Sequence, residues 1–156
     1  MGRQKPGKPR RERPEPQEHG HEWFEIPDDY RDPGGRPVDH KLLGQLLGAA
    51  MDRCLSCQDV LTTLLVEDPV TTARLVELAC ISVHGAMGGL PRTMTDDGIP
   101  GPAALEFRRL ARLGLDGGND SMFTACEGMS ATERREAANT ALDFVVAAVS
   151  GVMGPV

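Results

Sequence analysis

Aromatic side chains make up only 4% of this sequence, and lysine is nearly missing: three lysines stand against 14 arginines. A core short of large rings has to be filled with Leu, Val, Ala and Met, which suits packed helices better than a β-sandwich. No apolar run reaches membrane-spanning length. The longest, residues 141–153, is interrupted by Asp143 and falls short of the roughly 20 residues a spanning helix needs. No secretory leader is legible, because basic residues 1–13 lead into a polar, acidic stretch rather than an apolar one. Both shortfalls lead us to expect a cytoplasmic protein, where four cysteines are thiols or metal ligands rather than structural disulfides. A net charge of -6 argues against a general polyanion binder. The chain has no P-loop, dinucleotide fingerprint, nucleophile elbow or HExxH motif, so nothing points to a catalytic site.

What is present divides at about residue 38. Residues 1–38 read as an extended arm, disordered or partner-bound, with proline at 6, 9, 14, 16, 27, 33 and 37. Such a segment buries too little apolar surface to offset its ordering entropy. Its tip, Arg3 to Arg13, is basic, while residues 14–30 hold six acids and no Lys or Arg. Three of the six aromatics, Trp23, Phe24 and Tyr30, crowd into one strip with Ile26. Aromatics are rare in unstructured chain, and Trp and Tyr commonly anchor protein contacts, so this strip reads as a docking element for the chain's own domain or for a partner. The cluster Glu18-His19-Gly20-His21-Glu22 offers metal donors, but in a polar tail it reads as adventitious.

Residues 39–156 read as one helical domain, a compact bundle of four or five helices. Asp39 is a suitable N-cap. The stripe Leu43, Leu47, Ala50, Cys54, Cys57, Leu61, Leu64 recurs at helical spacing, with a possible break near Ser56. Glu67-Asp68-Pro69 restarts a helix that runs to Gly88-Gly89. A further helix is expected from Pro102 to about Leu113, a short one from Asp120 to Gly128, and a last one opened by the capping box Ser130–Glu133.

The constellation with most chemistry in it is Cys54-x-x-Cys57 with Cys80-x-x-x-His84. Spacings of three and four each put a pair on one helix face. Folding the two helices back at Glu67–Asp68 would bring Cys54, Cys57 and Cys80 to one height, with His84 a turn beyond. That donor set fits a structural zinc site. The blander reading makes these cysteines buried core thiols; a third makes Cys54 and Cys57 a redox pair. Cys126 reads as a core thiol. Asp116, Asp120 and Glu127 match a calcium loop too poorly to count. The expected function is that of a non-enzymatic binding or regulatory protein. It would engage a larger protein through its arm and, on the first helix after the long loop, through Arg108 and Arg112. The alternatives are a nucleic-acid-associated regulator using the basic tip and a thiol redox protein.

Overall fold

The computed structural model describes His21 and residues 35–151, which form helices and connecting loops with no strand among them. The helices are α1 (His40–Met51), α2 (Leu55–Leu65), α3 (Pro69–Met87), α4 (Leu105–Gly117), α5 (Asn119–Glu127) and α6 (Ala131–Val149). A single 3₁₀ turn, Arg92–Met94, interrupts the long loop between α3 and α4. The arm residues Trp23, Phe24, Ile26 and Tyr30 and the basic tip lie outside the described residues.

Local sequence signals explain four of the helix ends. The Asp39 carboxylate accepts the Leu42 N–H at 3.0 Å. Asp68 accepts the Thr71 N–H at 3.2 Å, with Pro69 at the first helical position, where a missing N–H costs nothing. Ser130 and Glu133 form a reciprocal capping box. Gly88 closes α3 with φ of 80°, a conformation glycine adopts without a Cβ penalty.

The helix count exceeds the expected four or five because the first apolar stripe breaks. The break falls at Asp52–Cys54, ahead of Ser56. Arg53 N–H donates to Ala50 O at 3.0 Å and Cys54 N–H to Ala49 O at 2.9 Å. This is the Schellman pairing, in which the residue just after the C-cap is left-handed. Arg53 supplies it with φ of 58°, the sole positive-φ residue other than glycine among the described residues. Cys54 therefore ends the α1 cap and serves as the N-cap of α2.

α3 lies at the centre of the packing. It is buried without a break from Thr71 to Ala79, and it packs chiefly against α6 and α5, with α4 alongside. Its buried Arg74 and Glu77 form an ion pair one turn apart, which keeps both charges compensated away from water. From α6, Arg134 donates to Val66 O at 2.7 Å and Cys126 O at 3.2 Å, and also to Met129 O. One guanidinium thus satisfies carbonyls at the ends of both α2 and α5.

Arg108 corrects the sequence reading. Rather than standing on an open helix face, it is 2% exposed. Its guanidinium donates to Ala103 O and Asp96 O at 2.9 Å and to Gly101 O at 2.8 Å, and also to Ile99 O. The loop before α4 is rich in Gly and Pro and folds back on itself, so its carbonyls need an internal donor. The loop continues to Ala104, so α4 starts at Leu105 rather than Pro102. Arg112 does stand at the surface, paired with Asp116 at 3.1 Å.

Two stability measurements follow. Arg53→Gly should raise the denaturant midpoint, worth about 1 kcal/mol, by removing the left-handed penalty; a lower midpoint would mean the Arg53 side chain contributes a contact that outweighs it. Arg108→Lys should lower stability by about 2–4 kcal/mol, because one ammonium cannot reach all of these carbonyls and leaves buried acceptors unpaired. Unchanged thermal unfolding would show that the loop satisfies itself.

Candidate metal centre

The turn between α1 and α2 sets three side chains close together. Asp52 is the C-cap of α1 and Cys54 the N-cap of α2. Cys57 follows in the first turn of α2, so the spacing of three returns its sulfur to the side of Cys54. Cys57 is 1% exposed, and Cys54 is half-buried.

His21 completes the group from far away in sequence. Its Nδ1 donates to the Asp52 carboxylate at 2.7 Å, and its Nε2 lies 3.4 Å from Cys57 Sγ. One ligand atom each from His21, Cys54 and Cys57 lies within 4.8 Å of the others, a group that could hold a metal ion. The ring is divided between two jobs. Nδ1 is held by a carboxylate and Nε2 is turned to sulfur, the arrangement in which a second partner fixes the tautomer and orientation of a ligating imidazole. Without a metal, the 3.4 Å contact is a thiol–imidazole hydrogen bond.

The electrostatics fit the geometry. The hydrogen bond to Asp52 raises the His21 pKa above its ordinary 6.5. Burial, followed by the hydrogen bond with Cys54, pushes the Cys57 thiol up to about 11. In the metal-free protein Cys57 is therefore a thiol, not a thiolate, and a poor nucleophile.

The sequence reading grouped Cys54 and Cys57 with Cys80 and His84, and only the first pair belongs to this group. That reading required α2 and α3 to face each other along one continuous hairpin. Instead, the turn at Arg53 redirects α2, and the Cys80 face of α3 looks toward α4 and α5. There Cys80 and His84, with Glu77, Ile81, Leu115 and Met122, line a cavity of about 290 Å³. Burial pushes the Cys80 thiol up to about 12. Cys126 is fully buried at 0% exposure, in agreement with the core-thiol expectation. His21 was the residue missed. The visible signal was its His- and Glu-rich pentapeptide, which nothing local connects to the cysteines.

No protein-family model, curated protein or solved structure matches the chain.

The His21 shift gives a pH prediction. A folded-state pKa raised above the unfolded 6.5 contributes stability that is fully present below 6.5 and is lost as pH rises through the folded value. The metal-free protein should therefore hold His21 on the α1–α2 turn more firmly at about pH 5.5 than at about pH 8.5. Asp52→Asn should flatten that dependence in denaturant titrations. An equal slope in both proteins would show that the ion pair does not form in solution.

Proposed function

We propose that the chain is a non-enzymatic binding module that engages a larger protein through its N-terminal arm, with a structural zinc site where His21 of that arm meets the domain. The observation that supports this most directly is the contact of His21 with Asp52 and Cys57. It ties the arm to the domain immediately before Trp23 and Phe24. An anchored segment loses less freedom on binding than a free tail does, so its side chains bind at lower entropic cost. Trp23, Phe24, Ile26 and Tyr30 are the proposed anchors, and Arg112 on the surface of α4 is an accessory charge. Arg108 has no part in the contact, since its donors serve the loop before α4.

Two thiolates and an imidazole are a donor set suited to zinc, and the structural role proposed for it needs a fourth donor to close the tetrahedron.

The test is affinity capture from cell extract with the full chain, with residues 1–38 deleted, and with two sets of substitutions. Trp23→Ala with Phe24→Ala should weaken capture more than removal of Arg10, Arg11 and Arg13, because buried aromatics dominate affinity while exposed charges mainly set rate and salt dependence. The opposite ranking, with a steep loss at higher salt, would sink the protein-partner reading in favour of nucleic acid bound by the basic tip.

A further inference from the structure

We infer that one zinc ion, bound by His21 Nε2, Cys54 Sγ and Cys57 Sγ, latches the N-terminal arm to the α1–α2 turn, so that presentation of the arm depends on zinc. This deepens the zinc site proposed above and rests on that reading, but it makes a separate claim: the metal, not the protein contact alone, holds the arm.

Three observations support it. The first is distance. Zinc–nitrogen bonds of about 2.0–2.1 Å and zinc–sulfur bonds of about 2.3 Å at a tetrahedral angle put nitrogen and sulfur about 3.5 Å apart. His21 Nε2 and Cys57 Sγ already stand at 3.4 Å, the spacing this pair would have on the ion, and Cys54 contributes a ligand atom within 4.8 Å of both. The second is the carboxylate behind the ring. Asp52 at 2.7 Å from Nδ1 orients the imidazole and adds to its basicity, as outer partners of metal-bound histidines commonly do. The third is the division of the ligands. Both sulfurs come from one turn of the domain, whereas the nitrogen comes from the arm, more than 30 residues earlier in the chain. A metal that needs all three donors links the two parts. Binding it displaces the thiol protons to solvent and leaves two thiolates on the ion. Three protein donors leave one position of a tetrahedron for water or a further donor.

The chain carries its own reporter. Its single Trp is Trp23, two residues from His21, so Trp emission reads the position of the arm next to the latch. The experiment uses the full chain, stripped with a chelator and titrated with zinc. It should bind about one equivalent, with X-ray absorption giving two sulfurs near 2.3 Å and nitrogen near 2.0–2.1 Å. Trp23 emission should change along the same titration. Asp52→Asn should weaken zinc binding about 10–100-fold. His21→Ala should weaken it at least as much and abolish the emission change, and as a residue outside every helix it should leave helicity intact. Cys54→Ala, at a half-buried cap, tests a sulfur ligand with less risk to the fold than Cys57→Ala. Cys80→Ser and His84→Ala should bind zinc as the unsubstituted chain does.

Absence of zinc binding overturns the inference, as does binding that is indifferent to His21→Ala or that is lost in Cys80→Ser. Zinc uptake with no change in Trp23 emission overturns the latch while leaving the metal site. Partner capture is read separately. Capture that depends on Trp23 and Phe24 but ignores zinc defeats the latch alone; a working latch with no arm-dependent capture defeats the binding reading alone.

Discussion

The turn at Arg53 costs about 1–2 kcal/mol, because a side chain in the left-handed region crowds its own backbone. That local penalty sets the geometry of one end of the molecule. It stops α1 at Met51 and makes Cys54 the first residue committed to α2. It also brings Asp52, Cys54 and Cys57 to one side of a tight turn, where His21 meets them. Unfavourable backbone conformations persist where the surrounding structure over-determines them, and they concentrate at functional sites. Here the strained residue lies between the carboxylate that holds His21 and the first of the two sulfurs. A glycine would relieve the strain but would also loosen the turn that positions those groups.

The rest of the fold answers a shortage of rings with an abundance of guanidinium. Few aromatics are available, and Phe107 and Phe123 are among the few large rings in the core. The long loop before α4 and the ends of α2 and α5 are instead fixed by Arg108 and Arg134, each donating to several backbone carbonyls. Arg74 is buried beside Glu77 in the middle of α3. The arginine bias therefore has a structural use in this chain. A planar fork of donors can serve carbonyls from separate segments, which a lysine ammonium does poorly.

The candidate site joins a part readable from sequence to a part that was not. Cys54 and Cys57 were recognisable as a pair because a spacing of three is local geometry. Their partner was not, because choosing between Cys80, His84 and the histidines of the arm depends on where α2 points. A continuous first helix would have turned the pair toward α3. The break at Asp52–Cys54 depends on a left-handed arginine, which no sequence rule would select when glycine and asparagine are the usual occupants. Arg108 was misread for a related reason. Its place opposite an apolar helix face looked exposed, but the carbonyls that draw it inward belong to a loop with no periodic pattern.

The helical class, the caps at Asp39, Asp68 and Ser130, the glycine stop at Gly88 and the pairing of Cys54 with Cys57 are all legible in residue order alone. All of these rest on interactions within one or two helical turns, which residue spacing encodes directly. Three outcomes emerge only once the helices pack: α3 is the packing centre, Arg108 and Arg134 serve backbone carbonyls at loops and helix ends, and His21 rather than Cys80 and His84 meets the cysteine pair. Those outcomes depend on the angle between successive helices, which is set by one strained turn and by packing among distant residues, and neither is written in local spacing.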